Sequence, residues 1–117
     1  MGQALPLLPM DGFEQALRRI GRAAVCFTAD WCPHCRRFAP LFAEAAGTSQ
    51  GMGFAIADIS DDDTDPRWDR YAIEVVPTVL VFEDGAPIAR LDGILGRGID
   101  RAQLSAFLQG EAGQQTV

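Results

Sequence analysis

Trp31-Cys32-Pro33-His34-Cys35 places two thiols two residues apart, with a proline and a histidine between them. The apolar run from Ala23 to Thr28 comes before it and favours a strand buried on both faces, while the residues that follow are compatible with a helix. A Cys-x-x-Cys pair where a strand meets a helix is typical of a dithiol/disulfide redox centre. The spacing lets both sulfurs join in one S–S bond, and the positive end of the helix favours the thiolate form of the first.

Length and composition describe an ordinary globular domain. The chain has 117 residues, of which 48% are hydrophobic and 22% are charged, and this is enough for one soluble domain with its own hydrophobic core. Its formal net charge of −6 argues against a nucleic-acid partner, because phosphates repel an acidic surface. No apolar run approaches the ~18–20 residues that cross a membrane, so no membrane partner is expected.

Cysteine usage and the first residues bear on the compartment. Three cysteines are an odd number and too few for a disulfide-stapled secreted domain. The segment from Met1 to Pro9 lacks a positive n-region, and prolines interrupt its apolar residues, so it does not have the pattern of a signal peptide. We therefore expect a cytoplasmic protein, or a periplasmic or extracytoplasmic one if a leader has been removed.

Hydrophobic periodicity and turn signals predict alternating strands and helices in the order β-α-β-α-β-α-β-β-α. The predicted strands are 5–8 at a sheet edge, 24–29, 53–59, 78–82 and 87–91. The predicted helices are 11–19 with Asp11 as N-cap, 32–46 with a kink at Pro40, a short one after Pro66 that carries Trp68, Tyr71 and Ala72, and 100–108 with Asp100 as N-cap. Glu83-Asp84-Gly85 is a turn signal between the last two strands, and residues 110–117 should be a flexible tail.

Four features besides the cysteine motif extend the pattern along the chain. Pro40 lies five residues after Cys35, Pro77 precedes a predicted strand, Asp84-Gly85 marks a hairpin turn, and Gly93 follows the last strand. Together with the motif they resemble the thioredoxin superfamily, over roughly residues 10–109. The resemblance implies an α/β thioredoxin fold, in which helices flank a central mixed β-sheet within a single domain.

The resemblance also implies a rim that binds the substrate. In thioredoxin-like proteins the proline that corresponds to Pro77 follows a cis peptide bond, which here would join it to Val76, and it faces the redox cysteines. The backbone before that proline pairs with the substrate chain in β fashion, a general mode of peptide recognition. Gly93 would belong to the same rim, and Trp31 beside the motif would also contact the substrate.

The expected chemistry follows from the reactivity of thiols. Cys32, at the start of the helix and expected to be exposed, should be the nucleophile, and Cys35, one turn further and partly buried, should be the resolving thiol. His34, which can carry a positive charge near neutral pH, should lower the pKa of Cys32 together with the helix N-terminus. A more stable thiolate is a better leaving group, which makes the protein more oxidising. Pro33 completes the catalytic motif.

The dipeptide between the cysteines departs from ordinary thioredoxins, which carry Gly-Pro there. Pro33-His34 is similar to the bacterial periplasmic thiol oxidases, as is the valine before Pro77. Those oxidases carry a helical domain inserted in the thioredoxin fold, and the interval between Cys35 and Pro77 has no room for one. The chain therefore combines a thioredoxin-sized scaffold with an oxidase-like dipeptide.

A second departure concerns the residue six positions before the first cysteine. Thioredoxins place a buried aspartate there, which helps move the proton of the resolving thiol, whereas this chain has Cys26. The lysine that partners the aspartate would fall near Ile56, so an apolar pair replaces a polar one and leaves no unpaired buried charge. The proton relay is then Asp58, water, or absent, and Cys26 is either a small buried hydrophobic residue or a third redox thiol.

Each candidate residue has a plainer interpretation. The cysteines could be a structural pair, or all three with the histidine could bind zinc, although a buried strand and a helix start would give such a site unusual geometry. His34 could be a solvent-exposed turn residue, and Trp31 a packing residue, as Trp68 and Tyr71 are expected to be. The run from Asp61 to Asp65 is expected to be a solvated loop at a helix N-terminus rather than a calcium site.

The sequence therefore predicts an enzyme, a thiol–disulfide oxidoreductase that exchanges a Cys32–Cys35 disulfide or dithiol with protein substrates and serves cell redox homeostasis. It needs no cofactor beyond that redox-active disulfide and no metal. Two directions stay open: a reductase fed by a thioredoxin-reductase-like flavoprotein, or an oxidase or isomerase. The alternative from another class is a binding module that holds a client at the Pro77 rim, with the cysteines as a redox-sensitive pair. We expect a monomer.

Overall fold

The computed structural model describes residues 5–49, 51–59 and 65–114, and these residues form four strands and four helices. They are α1 (Phe13–Ile20), β1 (Arg22–Thr28), α2 (Pro33–Thr48), β2 (Gly53–Asp58), α3 (Pro66–Arg70), β3 (Thr78–Glu83), β4 (Ala86–Asp92) and α4 (Arg101–Gln114). The strands make one sheet in the order β2-β1-β3-β4, in which β1 runs parallel to β2 and antiparallel to β3, and β3 runs antiparallel to β4. The predicted α/β architecture, a mixed sheet flanked by helices, is confirmed.

β1 lies at the centre of the sheet because its residues are apolar on both faces. Its residues from Ala23 to Phe27 are all buried, as the continuous apolar run predicted. The strand begins at Arg22 and ends at Thr28, slightly earlier at both ends than predicted. Its C-terminal end leads directly into the loop that carries the cysteine motif, so the centre of the sheet determines where that motif lies.

Two layers of apolar side chains pack on opposite faces of the sheet, since successive residues of a strand point to opposite sides. On one face Tyr71 and Phe82 meet edge to face at 5.3 Å between ring centroids, in the same cluster as the buried side chains of α1. On the other face α2, which runs through Pro40, buries Phe38 and Phe42. Truncating a buried phenylalanine costs about 3–5 kcal/mol, so these rings hold α2, and with it the cysteine motif, firmly on the sheet.

Two predictions for the N-terminal part need correction. Residues 5–8 make an isolated parallel bridge at Leu7 rather than a strand, although they lie along β2 at the sheet edge: the N–H of Leu8 donates to the carbonyl of Ile56 at 2.8 Å. Asp11 is not the N-cap of α1, because the helix begins after Gly12. Gly12 has a left-handed φ of 76°, and no described side chain caps the helix. Asp11 thus lies one residue too early to reach the free N–H groups.

The segment before α3 carries a buried ion pair that the sequence did not predict. Residues 61–64 of the acidic run lie outside the described residues, but Asp65 is 6% exposed rather than solvated, and it pairs at 2.8 Å with Arg67, which is 5% exposed. Asp65 also caps α3 by accepting the backbone N–H of Arg67. The guanidinium donates further to the carbonyls of Leu8 at 3.3 Å and Asp58 at 3.1 Å. The pair therefore joins α3 to the end of β2 and to the N-terminal segment.

β3 and β4 form the predicted hairpin, and β4 is an outer strand of the sheet. Asp84 and Gly85 have φ values of 52° and 90°, the left-handed pair that a tight hairpin turn of this kind requires. β4 is mostly exposed and carries Pro87 as well as Arg90, which pairs with Asp92 at 2.7 Å. The end of β4 leads into a loop, residues 93–100, that returns to the cysteine motif.

α4 is longer than predicted. Asp100 caps it, as expected: its carboxylate accepts the N–H of Gln103 at 2.8 Å, and the side-chain oxygen of Gln103 accepts the N–H of Asp100 at 2.9 Å. The helix continues to Gln114, so the described part of the predicted tail is helical, because a glycine such as Gly110 weakens a helix by only about 1 kcal/mol and need not end it. None of the helices among the described residues is long and apolar enough to cross a membrane.

Candidate active site

The two motif cysteines lie where β1 passes into α2. Cys32 is the N-cap residue, with extended backbone angles (φ −101°, ψ 113°), and its Sγ accepts the backbone N–H of Cys35 at 3.4 Å. Pro33 follows in the first turn, where its missing N–H costs no hydrogen bond. The Cys32 sulfur therefore lies at the positive end of a 16-residue helix, where a negative charge is favoured.

Cys32 is buried, which corrects the expectation that it is exposed. Only 6% of its surface is accessible, because the segment that ends in Pro77 lies against it. Val76–Pro77 is a cis peptide, as the resemblance implied, and the thiol of Cys32 donates to the carbonyl of Val76 at 3.4 Å. The predicted nucleophile and the predicted substrate-binding rim are therefore in direct contact.

Cys35 lies deeper, in the first turn of α2, and is 3% exposed. The pKa of its thiol is raised to about 11, mainly by burial; hydrogen bonds with the side chain of Thr28 and the backbone of Ala29 oppose the rise, and Cys32 adds to it. Cys35 is therefore a protonated thiol at neutral pH. This state suits a resolving cysteine, which reacts only after the first sulfur has been used.

Cys26 occupies the middle of β1, beside Ile56 of β2 in the sheet register. It is 3% exposed and packs with the apolar side chains under α2. Burial raises the pKa of its thiol, and Cys35 adds to the rise. In this structure Cys26 is a small buried uncharged residue, as one of its two interpretations held. Its use as a third redox thiol, and a proton relay through Asp58, stay predictions.

A cavity of about 480 Å³, which we name the active-site groove, opens beside the cysteine motif. Five predicted site residues line it: Trp31, Cys32, Pro33, His34 and Val76. Trp31 is 59% exposed, so it is not a core packing residue. The groove therefore brings together the reactive motif and part of the rim that was predicted to bind the substrate.

Pro77 and Gly93, the other two predicted rim residues, lie behind the wall of the groove. Both are buried, and a side chain at position 93 would collide with the carbonyl of Pro77. The N–H of Gly93 donates to the side-chain oxygen of Thr78 at 3.4 Å. Gly93 therefore supports the cis-proline segment from behind, and only a residue without a side chain fits there.

Six residues of the groove were not predicted as site residues, and Val75 and Gly96 are two of them. Ile94 and Leu95, from the loop after β4, are 45% and 86% exposed, and Glu74 lies in the segment before β3. Trp68 packs partly against the core, as predicted, yet it also lines the groove, and its indole N–H is buried with no hydrogen-bond partner among the described residues. Exposed apolar side chains beside a reactive group are typical of a binding surface. The apolar pair Ile94-Leu95 between two glycines was a signal of this surface that the sequence carried. Nothing in the sequence pointed to Glu74.

His34 is half-buried between α2 and the loop after β4. The guanidinium of Arg37 donates to its Nδ1 at 2.6 Å. On the loop side Gly98 lies so close that a Cβ there would come within 3.0 Å of the Cβ of His34. Residues three positions apart on a helix are neighbours. The three-residue spacing between His34 and Arg37 was therefore a sequence signal for their contact.

The cysteine side chains of the site are free thiols, which are not joined by a disulfide bond. All three cysteines are unbridged, so the structure represents the reduced form of the motif. Among the residues that the structure describes, no group of three or more His, Cys, Asp or Glu side chains could hold a metal ion. The arrangement offers one thiol on the wall of the groove and a second one turn behind it, at the spacing of a disulfide-forming pair.

A mixed sheet flanked by helices, with a dithiol at a helix N-terminus against a cis-proline, defines a thioredoxin-fold redox protein. The family model described as Thioredoxin matches residues 6–109. The chain therefore belongs to the thioredoxin family, a family of thiol–disulfide oxidoreductases.

Similar proteins support this placement. The thioredoxin of Pseudomonas aeruginosa is 32% identical over 97 residues, which cover 82% of this chain and 85% of that relative. Protein disulfide isomerase-like 5-3 of Oryza sativa subsp. japonica is 35% identical over 80 residues, which cover 66% of this chain and 19% of the relative. The chain thus spans about a fifth of the length of that relative. The crystal structure of Chlamydomonas reinhardtii thioredoxin f2 matches with a TM-score of 0.78 at 20% identity, covering 92% of this chain and 96% of that one, and confirms the thioredoxin fold.

Proposed function

We propose that this protein is an enzyme that exchanges its Cys32–Cys35 dithiol or disulfide with the disulfides or thiols of protein substrates. The observation that carries the proposal is the position of the Cys32 sulfur. It lies on the wall of the active-site groove, at the N-terminus of α2, and 3.4 Å from both the N–H of Cys35 and the carbonyl of Val76. One sulfur is therefore placed to meet a substrate, and a second is placed to complete the reaction.

In the direction that reduces a substrate, the exchange proceeds in two steps. The Cys32 thiolate attacks one sulfur of the substrate disulfide, forms a mixed disulfide and displaces the other sulfur as a thiolate, which takes up a proton. Cys35 loses its proton and attacks the Cys32 sulfur, which closes the Cys32–Cys35 disulfide and releases the second substrate thiolate for protonation. The substrate gains two electrons and two protons, and the enzyme loses them. Cys35 reacts second because its thiol is buried and its pKa is raised to about 11.

The substrate chain is expected to lie extended along Val76. In the reduced protein the carbonyl of Val76 accepts the Cys32 thiol. Formation of the mixed disulfide removes that hydrogen, so the carbonyl becomes available to a backbone N–H of the substrate. Trp31 and Leu95, both strongly exposed, offer apolar contact at the groove. Strand pairing combined with pockets for side chains is a general mode of peptide recognition.

The proposal includes a redox partner that renews the cysteine pair. Thioredoxin f2 is known in a complex with ferredoxin:thioredoxin reductase, and this likeness supports a reductase as the partner of the present chain. The reduction potential of the Cys32–Cys35 couple in glutathione buffers decides the direction, since about 30 mV corresponds to ~1.4 kcal/mol for two electrons. The groove and both thiols come from one chain, so the reaction requires a monomer only.

Cysteine-to-serine variants test the proposal in two assays, insulin reduction and oxidation of a reduced model protein. Cys32→Ser should abolish exchange, and Cys35→Ser should stop turnover while a mixed disulfide accumulates, which mass spectrometry detects. Cys26→Ser is the matched control and should stay close to the wild type, because Cys26 lies in the interior of β1. Full activity of Cys32→Ser would assign the cysteines a non-catalytic role. The absence of a reversible Cys32–Cys35 couple would also refute the proposal.

A further inference from the structure

The imidazole of His34 is held between two groups. Nη2 of Arg37 lies 2.6 Å from Nδ1 of His34. On the other side Gly98, with a left-handed φ of 77°, lies so near that a Cβ there would come within 3.0 Å of the Cβ and 3.5 Å of the Cγ of His34. The ring is therefore restricted both in its rotation and in its hydrogen bonding.

The contact with Arg37 selects one protonation state of His34. A guanidinium has only N–H donors, so Nδ1 must be the acceptor. An imidazolium carries a hydrogen on both ring nitrogens; it could not accept this bond, and it would oppose the charge of Arg37. This contact therefore requires a neutral imidazole with its proton on Nε2. In that state the positive charge beside the motif belongs to Arg37, although the residue pattern predicted it on His34.

We propose that Arg37 is a positioning residue for His34: it keeps the imidazole neutral and leaves its Nε2–H to donate to a substrate in the active-site groove, beside Cys32. This inference rests on the proposed function, because it requires a bound substrate. His34 lines the groove together with Cys32, and with Nδ1 occupied, Nε2–H is the polar group of the ring that remains for a ligand. The acceptor is a backbone carbonyl of the substrate, since an extended peptide brings one with every residue.

The other charged groups near His34 do not make this contact. Glu74 lies on the groove from the segment before β3, Arg97 lies in the loop after β4, and Arg36 precedes Arg37 on α2. In the part of the chain that the structure describes, none of these three has a hydrogen bond or an ion pair with His34. Arg36 is exposed like Arg37, carries the same charge and lies on the same turn, so it is a matched control that lacks the contact.

The first test reads the ring nitrogens directly. His34 is the only histidine in the chain, so in protein without a histidine tag one pair of ring ¹⁵N signals reports its state. At pH 7 the wild type should show an unprotonated Nδ1 and a protonated Nε2. Arg37→Met should lose this preference and exchange between the two neutral tautomers, while Arg36→Met should match the wild type. The measurement needs neither substrate nor activity, so its result is independent of the proposed function.

The second test is kinetic. Arg37→Met should lower kcat/KM for a peptide disulfide about 3- to 10-fold, mainly through KM, because one ordered hydrogen bond to the substrate is lost. If Arg37 acts through His34, adding Arg37→Met to His34→Ala should cause no further loss. The rate at which iodoacetamide alkylates Cys32 should gain a histidine-dependent step between pH 5 and 8 in Arg37→Met. That step should be absent from the double variant.

Three results would overturn the inference. One is a wild-type spectrum with both ring nitrogens protonated at pH 7. Another is an Arg37→Met spectrum with the wild-type tautomer. The third is additive loss of kcat/KM from Arg37→Met and His34→Ala, since Arg37 would then act on the substrate through its own charge. If the wild type proved to have no exchange activity, the proposed function would fail, and the ring signals would still decide whether Arg37 sets the tautomer.

Discussion

Replacement of Arg67 by methionine should destabilise this protein severely. The guanidinium is 5% exposed and bonds the carboxylate of Asp65, which is 6% exposed, as well as the carbonyls of Leu8 and Asp58. Methionine keeps most of the aliphatic length but removes every one of these donors. The variant would retain a buried carboxylate whose remaining bond in the structure is the backbone N–H of residue 67.

The expected loss is about 3–5 kcal/mol, the usual cost of leaving one partner of a buried ion pair uncompensated. Since domains of this kind are stable by only about 5–15 kcal/mol, the change removes a large fraction of the total. The matched control is Arg70→Met on the same helix. Arg70 pairs with Glu14 at 2.8 Å, but the two side chains are 56% and 37% exposed, so this change should cost less than about 1 kcal/mol.

Urea unfolding followed by far-UV circular dichroism measures these differences, with the slope of the transition as a check on two-state behaviour. The acid dependence gives a second measurement. Burial raises the pKa of Asp65, but the hydrogen bonds and charge of Arg67 more than offset this and hold it below its ordinary value. The pair therefore stabilises the wild type above about pH 3.9, and the contribution is lost as pH falls through the lower native value. In Arg67→Met the carboxylate can take up a proton, so the deficit should shrink between pH 7 and pH 4.

The double variant Asp65→Asn/Arg67→Met separates charge from packing. If the unpaired carboxylate causes the loss, the double variant should be more stable than Arg67→Met. If Arg67→Met does not fold, the stability of the double variant can still be measured and compared with the wild type. A loss no larger than that of Arg70→Met would show that the pair is solvated and would refute the reasoning. A double variant no more stable than the single one would place the cost in the lost carbonyl bonds instead.

The remaining predictions concern the site. Iodoacetamide at pH 8 should label Cys32 and leave Cys35 unlabelled in the folded, reduced protein, because the pKa of Cys35 is raised to about 11; equal labelling in peptide mass spectra would contradict this. Gly93→Ala should cost about 1–3 kcal/mol and slow insulin reduction, because the new methyl group collides with the carbonyl of Pro77. Gly110→Ala, which meets open space within α4, is the control and should be neutral or stabilising in the same urea titration.

Features that depend on a few neighbouring residues could be predicted from the sequence. The hairpin turn at Asp84-Gly85 and the cap at Asp100 are decided within four positions, and the structure confirms both. The central strand followed from an unbroken apolar run. The cis peptide before Pro77 and the place of Cys26 beside Ile56 came from the resemblance to a family, and composition would not have shown them.

Contacts between distant segments could not be predicted in this way. Cys32 is buried because Val76, 44 positions away in the chain, lies against its thiol. Asp65 is buried together with Arg67, and the guanidinium of Arg67 donates to the carbonyl of Leu8, which lies 59 positions before Arg67 in the chain. The contact between Arg37 and His34 has a more local cause, because residues three positions apart on a helix are neighbours. The sequence did not show that Gly98 lies on the other side of the ring, because that depends on how the loop after β4 returns to α2.

The two edges of the sheet also determine whether another polypeptide can add to it as a further strand. On one border residues 6–8 lie along β2; on the other, β4 carries Pro87, which has no N–H to offer, and the charged pair Arg90–Asp92. Such borders resist the addition of a foreign strand. If the protein acts on polypeptides as proposed, strand pairing with a substrate is therefore expected at Val76 rather than along either edge of the sheet, and copies of the chain are kept from joining edge to edge.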